Sequence, residues 1–157
     1  MRPYILATDF DGTLCTHEFP RIGTEVPYAI DILKLLQKRG HKVFLWTMRG
    51  HPDLSRFEHT DLDTGEFIEN DTLQAAVDWC RERGLIFDGV NESPAQFSTS
   101  PKQYAHIYID DAALGCPLRY MFETGNSRPV VDWEVVGNKF ARMGLISTED
   151  YMNLFLK

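Results

Sequence analysis

The rhythm of polar and apolar positions changes several times along the chain, and each change marks an element. From Pro3 to Phe10 the chain is mostly apolar and then meets acid and glycine, as a buried strand does on entering a loop. Between Thr24 and Gly40, Val26, Ala29, Ile30, Leu33 and Leu36 recur at helical spacing. Thr24 is the expected cap, Pro27 falls in the first turn, and Gly40 ends the helix. His41 to Thr47 is a β-rich apolar run bounded by polar residues. Leu73, Ala76, Val77 and Cys80 form a second helical stripe that stops at Gly84. Short strands are expected at Phe87 to Val90 and at Ala105 to Ile109. Trp133, Val136, Phe140 and Met143 predict a third helix, closed by Gly144. Ser147-Thr148-Glu149-Asp150 reads as a capping box opening a last short helix.

Strands alternating with helices of this length predict an α/β fold, a three-layer α/β/α Rossmann-like arrangement around a parallel sheet. No internal repeat, low-complexity tract or linker interrupts residues 1–157, so one domain is expected. Residues 50–70 break the alternation. They are long and charged, and Asp63-Thr64-Gly65-Glu66 reads as the turn of an excursion such as a small hairpin.

Composition narrows the class. At 157 residues, 43% apolar and 12% aromatic, the chain can build one sizeable core. No apolar run approaches the ~20 residues of a membrane helix, and the N-terminal segment does not read as a signal peptide. A formal charge of −7 argues against bulk affinity for nucleic acid. Cys15, Cys80 and Cys116 are odd in number and in no CxxC pattern, which argues against a disulfide framework and fits a reducing cytoplasm. His17, His41, His51, His59 and His106 show no metal-ligand spacing and are expected to be solvated or structural.

Asp9-Phe10-Asp11-Gly12-Thr13 stands where the first strand gives way to its loop. The carboxyl ends of parallel strands line the ligand crevice of such folds, so these acids should face it. Two carboxylates two residues apart can converge on one cation, and Gly12 lets backbone approach a ligand closely. A polar turn is the plainer reading, but a DxDGT string arises by chance on the order of once per thousand chains of this length.

This segment resembles the first motif of the haloacid dehalogenase (HAD) superfamily of Asp-nucleophile phosphohydrolases. Thr47, ending Val43-Phe44-Leu45-Trp46, is similar to the second motif. Lys102 is similar to the third, and Asp110-Asp111, closing Ile107-Tyr108-Ile109, to the fourth. Each of the last three is an ordinary feature alone. Their order and their coincidence with the first motif carry the resemblance.

The resemblance implies a Mg²⁺-dependent phosphatase acting on phosphate monoesters. Asp9, the Asp11 carbonyl and Asp111 would hold the metal. Asp110 completes the acidic pair, and which of Asp110 and Asp111 binds directly stays open. Asp9 would attack phosphorus, while Asp11 would act as general acid and then base, keeping a proton among like charges. Thr47 and Lys102 would bind phosphoryl oxygens, and Lys102 would also screen the nucleophile. Asp11, the second acid of DxD, favours phosphoryl transfer over dehalogenation.

Other features qualify this picture. Arg49, two residues past Thr47, could fork a substrate phosphate or carboxylate, and a surface salt bridge is the plainer account. Asn91-Glu92-Ser93-Pro94 should project polar groups to the same rim, as in small bacterial and phage members of the superfamily; a simple turn competes with that reading. The segments after Leu14 and from Asn91 to Lys102 are too short for a cap domain, so a capless member is implied. An open site either takes bulky substrates or borrows a lid from a neighbour in a homo-oligomer. Residues 50–70 are a candidate partial lid. The expected partner is a phosphorylated small molecule. A phosphatase of nucleic-acid ends or phosphoproteins is the alternative, and a receiver-like phospho-Asp domain is a third reading that leaves Asp11 unexplained.

Overall fold

A computed structural model describes residues 2–50, 63–65, 71–97 and 100–156. Four strands form a parallel sheet: β1 (Ile5–Thr8), β2 (Lys42–Leu45), β3 (Gly89–Val90) and β4 (Ile107–Ile109), in the order β3-β2-β1-β4. Helices α1 (Ala29–Lys38), α2 (Thr72–Glu82), α3 (Trp133–Arg142) and α4 (Thr148–Asn153) flank it. The fold is the three-layer Rossmann-like class expected. A two-stranded antiparallel ribbon, β5 (Leu118–Arg119) with β6 (Val130–Val131), was not foreseen. The possible lid at 50–70 lies almost wholly outside the described residues. No described helix is long and apolar enough to cross a membrane.

Strand register decides what each face carries. Leu6 pairs with Val43 and Ile107, and Thr8 with Leu45 and Ile109, so these residues share one face. That face carries the main core, with Leu6, Val43, Leu45 and Ile109 clustered with Ile32, Leu36 and Trp133. Ala7, Phe44 and Tyr108 share the opposite face. The segment between β3 and β4, with a 3-10 turn at Ala95–Phe97, passes beside it: Glu92 to Gln96 line a depression with Ile5 and Phe44.

The chain begins α1 later than its periodicity suggests. Thr24 does not cap it; the Thr24 carbonyl accepts from Thr16 N–H, and Val26 N–H donates to the Leu14 carbonyl. Backbone committed to that small ladder cannot also be helical, so α1 starts at Ala29, after Tyr28 at φ 67°. Ser147 caps α4 as its capping box predicts, and Asp71 and Asp132 cap α2 and α3 in the same way. Asp71, Asp132 and Ser147 side chains accept from Gln74, Val135 and Asp150 N–H groups.

Candidate functional site

The adjacent strands β1 and β4 end together, because Asp9 N–H donates to the Ile109 carbonyl at 2.9 Å. Asp9 follows β1, and Asp110 and Asp111 follow β4, so three acids emerge side by side. Their carboxylate oxygens lie within 4.8 Å of one another. Thr13 braces them: its hydroxyl donates to Asp9 Oδ2 at 3.3 Å and accepts from Asp111 N–H at 3.3 Å. Thr13 is itself held by the Trp133 indole N–H, which donates to its carbonyl at 2.7 Å.

Burial above all, with the nearby charges of Asp110, Asp111 and Asp11 adding to it and a bond from Phe10 N–H opposing it, lifts the Asp9 carboxyl from 3.8 to about 8. Three crowded carboxylates repel one another, and a divalent cation removes that repulsion. An all-oxygen donor set suits a hard cation. Asp9, Asp110 and Asp111 therefore fit a metal ion.

These acids line a cleft of about 420 Å³ together with Asp11, Thr47 and Arg49. Thr47 lies two residues past β2, where Asn91 pins it: Asn91 Oδ1 accepts from Thr47 N–H at 2.9 Å. Asn91 takes the left-handed conformation at φ 50° to do so. The polar segment after β3 thus serves as a bracket for Thr47, and its Asn side chain is committed to backbone. The Thr47 hydroxyl accepts from Arg49 N–H at 3.2 Å, which leaves its own hydrogen to donate into the cleft.

Arg49 does not offer a fork to a ligand. Its guanidinium is buried and donates to both oxygens of Asp11, Nε to Oδ2 and Nη2 to Oδ1, each at 2.7 Å. It also donates to the carbonyls of Pro20 at 3.1 Å and Arg21 at 2.8 Å. Phe10 and Phe19 rings lie 4.9 and 5.3 Å from its guanidinium carbon. With these donors spent on the protein, Arg49 is a holder of Asp11. This also corrects the expected surroundings of Asp11, which meets a cation rather than like charges alone. Each Asp11 oxygen keeps a second lone pair beside its Arg49 bond, where a proton can sit.

Lys102 is not brought to the cleft. It is exposed and lines a separate depression with Phe97 and Tyr108, its ammonium 5.6 Å from the Tyr108 ring centroid. Tyr108 points to the sheet face opposite the main core, which carries the lysine over that face and away from the strand ends. Gly12, at φ +79°, lies against the cleft residues His17 and Asp111, and His17 fills the space of its missing side chain. A Cβ there would lie 2.1 Å from His17 Nε2 and 2.7 Å from Asp111 Oδ2.

Two cleft residues escaped sequence reasoning. His17 Nε2 stands 3.1 Å from Asp111 Oδ2, near enough for ion pairing but off the hydrogen-bond direction. Arg128, on the loop before β6, lines the cleft and is exposed. Neither belongs to a spacing pattern, so only the fold reveals them. His41 and His106 are structural: each accepts, through Nδ1, from a β1-side N–H, Tyr4 at 3.0 Å and Ile5 at 2.8 Å.

A solved structure described as that of a conserved protein coded by a locus from Bacteroides thetaiotaomicron is similar to this chain. The two are 29% identical with a TM-score of 0.62, over 95% of this chain and 97% of that one. No protein-family model and no curated protein matches the chain.

Proposed function

We propose that the chain is a Mg²⁺-dependent phosphate monoester hydrolase of the HAD superfamily, acting through an aspartyl-phosphate on Asp9. The observation that carries this reading is the convergence of Asp9, Asp110 and Asp111 at adjoining strand ends, in one cleft with Asp11 and Thr47. The ion held by the three acids would neutralise charge on the phosphoryl group and on Asp9. Asp9 attacks phosphorus in line, forming an O–P bond as the ester oxygen departs. The Thr47 hydroxyl donates to a phosphoryl oxygen. Asp11 gives a proton to the leaving oxygen, then takes one from the water that attacks the aspartyl-phosphate, releasing phosphate and restoring Asp9. Arg49 holds Asp11 at both oxygens, and the proton it delivers sits on a lone pair beyond those bonds.

The acid role has a specific test. Asp11→Asn should lower kcat/KM for alkyl phosphates, whose leaving oxygens need a proton, far more than kcat/KM for 4-nitrophenyl phosphate with Mg²⁺. Equal losses on both substrates would remove Asp11 from that role. The capless reading rests on the shortness of the segments between β1 and α1 and between β3 and β4. A cytoplasmic setting is proposed from the cysteine pattern, with Cys15 and Cys80 buried as free thiols.

A further inference from the structure

The charges around the cleft do not balance for an anionic substrate. Asp9, Asp11, Asp110 and Asp111 all line it, and a phosphate monoester brings further negative charge. Arg49 is consumed by Asp11. His17 is turned to Asp111, and Lys102 lies over another face. Among the described residues, Arg128 is the cleft-lining cation with no ion pair and no side-chain hydrogen bond.

Its position is built. Asn126 Oδ1 accepts from Arg128 N–H at 3.0 Å, and Asn126 Nδ2 donates to the His17 carbonyl at 2.7 Å. Just beyond, Val131 N–H donates to the Gly12 carbonyl at 2.9 Å. The loop carrying Arg128 is thus fastened at both ends to the segment that shapes the acidic floor. Yet the guanidinium comes within ion-pair distance of none of the four carboxylates. It stands at the mouth, away from the atoms that would hold metal and phosphoryl group. The rest of the rim is apolar, with Phe19, Met48 and Ala112.

We propose that Arg128 anchors a second anionic group of the substrate. The compounds taken are then compact phosphate monoesters that also carry a carboxylate or a second phosphate, with a small organic frame against Phe19 and Met48. A cleft of about 420 Å³ is of the size that holds such a molecule, and a guanidinium fork matches either anion. This inference rests on the hydrolase reading above.

The test compares phenyl phosphate with its 2-, 3- and 4-carboxy derivatives, in Mg²⁺, for the native chain, Arg128→Ala and Arg128→Lys. The native protein should favour at least one carboxyphenyl phosphate by about fivefold in kcat/KM, mainly through KM. Arg128→Ala should bring that ratio to about one, and Arg128→Lys should keep part of it. No native preference, or a ratio unchanged in Arg128→Ala, overturns the anchor. Inertness toward all four esters would instead refute the hydrolase reading. Calorimetric titration with the same esters then judges the anchor: selective weakening of the carboxylate-bearing ones by Arg128→Ala supports it, and equal or absent binding overturns it.

Discussion

Arg49 grips both oxygens of Asp11 at 2.7 Å from a buried position, between the rings of Phe10 and Phe19. The guanidinium also gathers the carbonyls of Pro20 and Arg21, so one side chain ties the loop after β2 to the loop after β1. Arg49→Ala should destabilise the fold by about 3 kcal/mol, since it strands buried acceptors and frees Asp11. Arg49→Lys, which cannot fork, should recover part of that stability but less of the activity. Urea denaturation and turnover of an aryl phosphate measure the two; a cost below ~1 kcal/mol in Arg49→Ala would contradict the clamp.

The Asp9 carboxyl, lifted from 3.8 to about 8 by burial, makes the metal-free protein pH-sensitive. Between those values the folded state keeps a proton that the unfolded chain has released, so raising pH across that window favours unfolding. The Tm of the metal-free protein should therefore fall from pH 5 to pH 8, and Asp9→Asn should flatten that slope. At about 2–4 °C per kcal/mol for a domain of this size, calorimetry resolves the change. Mg²⁺ should raise Tm more at pH 8 than at pH 5, because it replaces the proton. A metal-free Tm that rises over this range in the native chain but not in Asp9→Asn would reverse the sign assigned to Asp9.

Gly12 leaves room that His17 fills. In Gly12→Ala the new methyl, 2.1 Å from His17 Nε2, must push the ring away and crowd Asp111. The left-handed φ adds about 1 kcal/mol of backbone strain. The variant should fold with a lowered Tm and lose most of the Mg²⁺-dependent thermal shift. Retention of the full shift would mean that Gly12 plays no part in shaping the acidic floor.

Much of this was legible in the sequence because it depended on local pattern. Apolar runs located β1, β2 and β4, and acids at their ends followed from the rule that parallel strands present their carboxyl ends to one crevice. Ser147 caps α4 as its capping box predicts. What failed depended on partners far along the chain. Thr24 looked like a cap because nothing local shows its carbonyl accepting from Thr16. Arg49 was placed correctly beside Thr47, but its partner is 38 positions away. Lys102 precedes β4 as expected, yet the face its side chain covers is set by the register that turns Tyr108 outward. The β5–β6 ribbon has two residues per strand, too few to show alternation.

The most direct test of the central claim is acid-quenched mass spectrometry of the protein mixed with a phosphate monoester and Mg²⁺. Asp11→Asn should slow the water-dependent step and let the intermediate accumulate. The account predicts one phosphoryl group on the peptide containing Asp9, absent with EDTA and absent in Asp9→Asn. Turnover with no phosphorylated peptide, or a phosphoryl group that persists when Asp9 is replaced, would contradict it.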